Sequence, residues 1–163
     1  MQSSSEGMYG FEQNGKIGYM DKNGTIVVPA IYSYDSIGIT YGTIPYFSND
    51  YVKVVQNKKA GMIDKKGKLV IPIEYENLTP YIGFGNFILI TKTIGGKKNY
   101  GVLTTKNEVL LPVEYEDIRI DTGVILAKQN AKWGMFDKTG KQITPLEYTA
   151  LGYSSTDKVL LAE

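Results

Sequence analysis

The chain has 163 residues, with 18 basic and 17 acidic side chains, a net charge of +1 and 42% apolar residues, which suits one ordinary domain. The balanced charge excludes the basic surface that nucleic-acid phosphates require, so no nucleic-acid partner is predicted. Because the sequence holds neither Cys nor His, it excludes disulfides, thiolate nucleophiles, imidazole bases and conventional zinc sites. Neither a metal site nor a cofactor is predicted.

Residues 1–7, MQSSSEG, are predicted to form a flexible tail ahead of the folded domain. This segment has neither the basic start nor the apolar core of a secretory signal. Whether a signal has been removed stays open. No run of about 18 apolar residues occurs in the chain, so no membrane span is predicted.

Residues 8–163 contain one motif four times. The copies are KIGYMDKNGTIVVPAIY from Lys16, KAGMIDKKGKLVIPIEY from Lys59, NYGVLTTKNEVLLPVEY from Asn99 and KWGMFDKTGKQITPLEY from Lys132. Each copy has a glycine followed by a proline eleven residues later and a tyrosine fourteen residues later. The glycines are Gly18, Gly61, Gly101 and Gly134. Such self-similarity predicts a repeat protein.

We number these copies repeats 1 to 4 and expect each to form one structural unit of a single domain. Their expected bounds are about 8–50, 51–86, 87–123 and 124–158, and a further strand is expected at 159–163. That strand resembles the opening strand of another repeat, so the chain is either capped there or a fragment of a longer array.

The sequence of each repeat predicts a meander of three or four short strands joined by tight turns, with a short strand or turn at the residues around the repeat tyrosine. A first apolar segment, such as YVKVV at 51–55, leads into Asn-Gly or Asn-x, whose positive φ suits a two-residue hairpin turn. The second strand ends at DKNG, DKKG or DKTG, which favours a type I turn followed by a left-handed residue. In repeat 3 the turn is TTKN, and Asn107 replaces the glycine because Asn tolerates that conformation. The proline ends the third strand.

Apolar residues come in runs of three to five between turns rather than at helical spacing, which indicates an all-β chain. Three short strands cannot bury a core alone, so the repeats are expected to stack on one another. We predict a tandem array of antiparallel β-meander units that is open and either curved or superhelical. A four-bladed, propeller-like closure is the alternative.

The repeated glycine, the turn after it, the apolar strand and the P-x-x-Y ending resemble the bacterial WG repeat family over about residues 8–163. Only Trp133-Gly134 carries the eponymous dipeptide, and Ile17, Ala60 and Tyr100 hold the tryptophan position elsewhere. We interpret this position as a packing position. The resemblance implies a β-rich array, commonly bacterial and often secreted or attached to the envelope, without a particular reaction. A bacterial extracytoplasmic location is therefore expected.

Carboxylates are the one catalytic chemistry that the composition leaves. The acid before the repeat tyrosine recurs as Glu74, Glu114 and Glu147. Because it belongs to the repeat signature, we predict an exposed structural residue and no catalytic site. The non-repeated acids Asp35, Asp50 and Asp121 are the candidates for an alternative function, a carboxylate-based polysaccharide hydrolase.

The segment DKNG at 21–24 resembles the start of a calcium loop. Such a loop needs a bidentate acid at its twelfth position, and that position is Tyr32. A turn explains the same residues in three repeats, so a turn is predicted here.

Aromatic residues mark the segments whose length differs between repeats. These residues are Tyr41, Tyr46, Phe47, Tyr81, Phe84 and Tyr153. Variable segments of a repeat array often form its binding face, and tyrosine gives a large contact area at small entropic cost. Coverage of the core by these residues is the competing interpretation.

The predicted function is a non-enzymatic binding module that recognises a protein or a cell-envelope glycan through these aromatic segments. A structural spacer or assembly unit is the first alternative, because an exposed edge strand such as 159–163 can pair with a neighbouring chain. The polysaccharide hydrolase is the second.

Overall fold

The computed structural model describes residues 6–34, 44–81, 86–121, 123–153 and 159–162, with side chains up to residue 152. These ranges contain sixteen strands. Every strand pairing that is described among them is antiparallel. No helix long and apolar enough to cross a membrane occurs among the described residues. The chain divides into two compact units, Met1–Leu78 and Thr79–Glu163.

The first compact unit holds two three-stranded sheets, one for each of repeats 1 and 2. The sheet of repeat 1 has the order β1-β2-β3 and that of repeat 2 has the order β4-β5-β6. Their strands are β1 (Met8–Gln13), β2 (Lys16–Asp21), β3 (Ile26–Tyr32), β4 (Tyr51–Gln56), β5 (Lys59–Asp64) and β6 (Leu69–Tyr75).

The second compact unit holds the sheets of repeats 3 and 4, with the orders β10-β9-β8-β7 and β11-β12-β13-β14. Their strands are β7 (Asn77–Tyr81), which begins two residues before the boundary, β8 (Phe87–Ile94), β9 (Lys97–Thr104), β10 (Val109–Tyr115), β11 (Asp117–Asp121), β12 (Val124–Gln129), β13 (Lys132–Asp137) and β14 (Gln142–Tyr148). A last pair joins β15 (Ala150–Tyr153) to β16 (Val159–Ala162). All these sheets are open in the described chain, so the prediction of an all-β open tandem array is confirmed.

The predicted hairpin turns are present between the first and second strands of every repeat. Both central residues have positive φ, as a type I′ turn requires. The pairs are Asn14-Gly15, Asn57-Lys58, Gly95-Gly96 and Asn130-Ala131. Asn107 has a φ of 66°, close to the 77° of Gly67, so its predicted role as a glycine substitute is confirmed.

The repeat glycine lies on the second strand, where the third strand bends close to it. The register between β5 and β6 shifts between the pairs Ala60–Tyr75 and Met62–Ile71, on either side of Gly61. A Cβ atom on Gly61 would lie 2.8 Å from the carbonyl oxygen of Ile71. The glycine is therefore needed for close approach of backbone, and its own φ is not left-handed.

Each sheet has two faces, which we name from repeats 1 and 2. The trailing face of repeat 1 consists of Ile17, Tyr19, Val28 and Tyr32, which are cross-strand partners. The leading face of repeat 2 consists of Val52, Val54 and Ile63. Both sets belong to one buried hydrophobic cluster, so the trailing face of repeat 1 packs on the leading face of repeat 2.

The same contact recurs between repeats 3 and 4. The trailing face of repeat 3 is formed by Val102, Leu111 and Tyr115, and the leading face of repeat 4 by Ile125, Ala127 and Phe136. These residues share one buried cluster. The rings of Tyr115 and Phe136 meet edge to face, with 5.8 Å between their centroids.

The tryptophan of the family signature is a packing residue. Trp133 is buried together with Leu126 and Leu151, and the guanidinium of Arg119 lies 4.4 Å from its ring centroid. At the equivalent position Ile17 and Ala60 are buried and Tyr100 is half-buried. The side chain at this position thus serves the core, as the sequence predicted.

Candidate interaction site

The six aromatic residues predicted to bind a partner have different surroundings. Tyr41 and Phe84 lie outside the described residues, and Tyr153 lies on β15 with its side chain outside the described part. Tyr46, Phe47 and Tyr81 are described with their side chains. Of the six, these three are the residues whose side-chain burial is described.

Tyr46 is an exposed aromatic residue on an anchored segment. Its side chain is 65% exposed, whereas Ile44 on one side packs against the core of the first compact unit and Phe47 on the other is buried. The carbonyl of Pro45 accepts a hydrogen bond of 3.0 Å from the Tyr19 hydroxyl. The backbone on both sides of Tyr46 is therefore fixed, which lowers the entropic cost of using its ring for binding.

Phe47 is not a surface residue, and the prediction that it contacts a ligand is corrected. Its side chain is 1% exposed and meets the ring of Tyr19 edge to face, with 5.1 Å between centroids. An aromatic pair of this kind stabilises a core beyond the area that it buries. Phe47 therefore serves the competing function of covering the core.

Tyr81 is intermediate between these two cases. It ends strand β7, is half-buried, and packs against the hydrophobic cluster of the second compact unit. Because part of its ring is buried against this cluster, Tyr81 exposes less surface to a partner than Tyr46 does.

A charged cluster holds the chain just after Phe47. The carboxylate of Glu6 accepts hydrogen bonds from the backbone N–H groups of Asn49 at 2.7 Å and Asp50 at 2.8 Å. The ammonium of Lys65 lies 3.1 Å from Glu6 and 2.8 Å from the carboxylate of Asp50. The Asp50 N–H bond, followed by the bond to Lys65, lowers the pKa of Glu6. Glu6 was predicted to lie in the flexible tail, and its contacts instead tie it to this turn.

Two of the three carboxylates proposed for hydrolysis lie among the described residues. Asp50 is paired with Lys65, and Asp121 ends strand β11 opposite Val124. Asp35 lies outside the described residues. The repeated acids Glu74, Glu114 and Glu147 are all exposed.

The aspartate of the D-x-x-G turn binds the backbone of its own turn. Asp21 Oδ1 accepts hydrogen bonds from the N–H groups of Asn23 and Thr25, and Asp64 and Asp137 do the same in their repeats. In repeat 3 the hydroxyl oxygen of Thr104 takes this position, with bonds of 3.2 Å from the N–H groups of Lys106 and Glu108. The carboxylate of the segment resembling a calcium loop is thus used by the turn, and no cluster of acids that could hold a metal occurs among the described residues.

These bonds predict acid-sensitive turns. We expect Asp21 and Asp137 to titrate below the ordinary aspartate pKa of 3.8, chiefly because of the Thr25 N–H in the first case and the Thr139 hydroxyl in the second. Since folding lowers both pKa values, their contribution to stability is complete above the unfolded pKa and is lost as the pH falls through the folded values. A carbon-13 NMR titration of the carboxyl groups checks this. Midpoints no lower than those of the urea-unfolded chain would contradict it.

The sequence did not single out Tyr9 and Met20, which form an uncovered part of the first sheet. They are cross-strand partners, Tyr9 is 38% exposed, and Met20 is half-buried. Their equivalents in repeat 2, Val52 and Ile63, are buried. Aligning the repeats and asking which faces the first repeat leaves uncovered would have identified them.

Four sheets made from four copies of one motif define a tandem β-repeat protein. The family model described as "WG containing repeat" matches the chain four times, over residues 17–59, 61–92, 100–133 and 133–155. The chain belongs to the WG repeat family. No curated protein matches it significantly.

One solved structure with a similar fold is described as the crystal structure of the eukaryotic initiation factor. It is 11% identical to this chain with a TM-score of 0.50, and the alignment covers 99% of this chain. The chain spans about half of that structure's length, 46%. At this identity the likeness concerns the fold alone.

Proposed function

We propose that this repeat protein is a non-enzymatic binding module that recognises a protein or a cell-envelope glycan through the exposed ring of Tyr46. The observation that carries the proposal is the contrast between this ring, 65% exposed, and the anchored backbone on either side of it. A tyrosine fixed in this way can stack on a sugar ring or fill a pocket in a protein without being ordered first.

We further propose a bacterial extracytoplasmic setting, as a secreted or envelope-attached protein. The support is the resemblance of the repeats to a family whose members are commonly bacterial and often lie outside the cytoplasm. Cell fractionation of the native host with an antibody to the chain tests this. Recovery in the cytoplasmic fraction alone would contradict it.

Binding by Tyr46 is tested with purified protein and two separate targets, insoluble cell-wall polysaccharide and detergent-solubilised envelope proteins. We expect the chain to be retained on one of them and Tyr46→Ala to weaken retention about tenfold, the effect of losing an aromatic hot spot of about 1.4 kcal/mol. Tyr46→Phe should keep most of the binding because it keeps the ring.

The matched control is Ile94→Ala, which also removes an exposed apolar side chain, 54% exposed, beside the β8–β9 turn. It should bind as the parent chain does. Retention on neither target, or equal loss in Tyr46→Ala and Ile94→Ala, would exclude a binding site at Tyr46.

A second candidate function, a spacer or assembly unit, is favoured by β16. This strand pairs with β15, and no other strand partner is described for it among the placed residues. An unpaired strand edge offers hydrogen bonds to another chain. If this function holds, removing β16 should abolish concentration-dependent oligomers, and sedimentation velocity would show it.

The hydrolase remains the third candidate, with Asp35, Asp50 and Asp121 as its acids. Any polysaccharide-cleaving activity found in the purified chain should then fall at least about a hundredfold when a catalytic acid is replaced by its amide. Activity that survives all three single replacements, Asp35→Asn, Asp50→Asn and Asp121→Asn, would exclude this mechanism.

A further inference from the structure

The first repeat leaves its leading face uncovered. Tyr9 and Met20 face solvent in part, although the position that they occupy is a core position in every other repeat. The equivalent pairs, all buried, are Val52 with Ile63, Ile88 with Leu103, and Ile125 with Phe136. The residues at this position therefore pack against a neighbouring repeat elsewhere. In the described part of the chain, no repeat packs on them here.

The fourth repeat leaves part of its trailing face exposed. Met135 and Tyr148 are half-buried, whereas the equivalent Tyr19 and Tyr32 of repeat 1 are buried. On β14, Ile143 is 52% exposed, although its counterparts on β3 and β10 pack against buried clusters. Among the described side chains, Leu151 belongs to the same buried cluster as Trp133, and Met135 and Tyr148 at its margin stay half-buried.

The turn of the first repeat also lacks, among the described residues, the contact that the turns of repeats 2 and 4 make. In repeat 4 a Cβ atom on the turn glycine, Gly140, would lie 2.6 Å from the carbonyl oxygen of Leu110 on the third strand of repeat 3. In repeat 2 a Cβ atom on the turn glycine, Gly67, would lie 3.1 Å from the side chain of Val28 on the third strand of repeat 1. Gly24, the turn glycine of repeat 1, has no atom of the described chain within 4 Å of its Cβ position.

We propose that these two uncovered surfaces bind each other between two copies of this chain. The leading face of repeat 1 in one copy, with its 21–24 turn, stacks on the trailing face of repeat 4 in another copy. Within each compact unit, the trailing face of one repeat already packs on the leading face of the next. The proposed contact has the same arrangement between two molecules. Because the two surfaces differ, the contact is heterologous and further copies can be added head to tail. This inference goes beyond the binding site at Tyr46 and does not depend on it.

Strand β16 competes with this contact. It pairs with β15 as β12 pairs with β11, so it holds the place of the first strand of a following repeat. An incoming copy brings β1 to the same edge of β15. A chain that ends at residue 157 should therefore associate more tightly than the full chain. Pairing through the edge of β16 predicts the opposite result.

Sedimentation velocity tests the contact with two variants, one at each surface. Met20→Lys alters the leading face of repeat 1 and Ile143→Lys the trailing face of repeat 4. The parent chain should form oligomers that grow with concentration, and each variant should associate about tenfold or more weakly by itself. An equal mixture should form dimers and nothing larger, because each variant keeps the surface that the other has lost.

Circular dichroism checks that both variants fold. If Met20→Lys does not fold, Tyr9→Lys takes its place. The matched control is Ile26→Lys, since the equivalent residues Leu69 and Val109 stay exposed at 48% and 65%. It should associate as the parent chain does. A parent chain that is monomeric at every concentration, a mixture that stays monomeric, equal weakening by Ile26→Lys, or association that is not strengthened by removal of β16 would each overturn the proposal.

Discussion

Replacing Gly61 with alanine should lower the free energy of unfolding by about 2–4 kcal/mol, because the added methyl group would overlap backbone atoms of the third strand as well as the side chain of Ile73. The Cβ atom would lie 2.8 Å from the carbonyl oxygen of Ile71 and 2.9 Å from the Cα atom of Ile73. Both atoms belong to β6, which is held by its pairing with β5. The strand pair must therefore separate locally or lose hydrogen bonds.

Urea denaturation followed by circular dichroism measures this loss. Gly134→Ala should cost less, since its nearest atoms lie 3.1 Å away and include the side chain of Leu146. Gly152→Ala is the control, because no atom of the described part of the chain lies within 4 Å of its Cβ position. It should change stability by less than about 0.5 kcal/mol. Gly61→Ala and Gly152→Ala with equal stability would contradict the close-approach argument.

Phe47→Ala should lower the free energy of unfolding by about 3–5 kcal/mol, as expected for removal of a buried aromatic side chain. Phe47 is fully buried and contacts the ring of Tyr19. Burial raises the pKa of the Tyr19 hydroxyl, and an opened core around Phe47 should lower it again. The expected loss is therefore accompanied by easier ionisation of Tyr19.

The neighbouring substitution Tyr46→Ala is the matched control for this prediction. Tyr46 is mostly exposed, so its removal should change stability by less than about 0.5 kcal/mol. Thermal unfolding of both variants, together with ultraviolet titration of the tyrosines, makes the comparison. A Phe47→Ala variant as stable as Tyr46→Ala would show that the segment 44–48 does not cover the core.

The local chemistry of the repeats could be read from the sequence because it depends on a few residue types with narrow backbone preferences. The positive φ values at Asn57 and Asn107 followed from the tolerance of asparagine for that conformation. The stacking of sheets followed from strands too short to bury a core alone. The burial of Trp133 followed from the apolar residues that replace it in other repeats.

The candidate site was less predictable because it lies in a segment whose length differs between repeats. Tyr46 and Phe47 are adjacent and chemically alike, yet one is exposed and the other buried. Which ring faces inward depends on the path of the chain over Tyr19, and no periodic pattern specifies that path. The contacts of Glu6 escaped prediction for a related reason, since they join residues more than forty positions apart.

The matched leading and trailing faces also bear on how such a chain can grow in evolution. A gene duplication that copies one whole repeat copies both of its faces, so the new sheet arrives with a surface for the sheet before it and another for the sheet after it. The interface between Val28 and Ile63 would simply be made once more. Array length can thus change by whole repeats without new packing solutions, and selection can act on the segments between sheets.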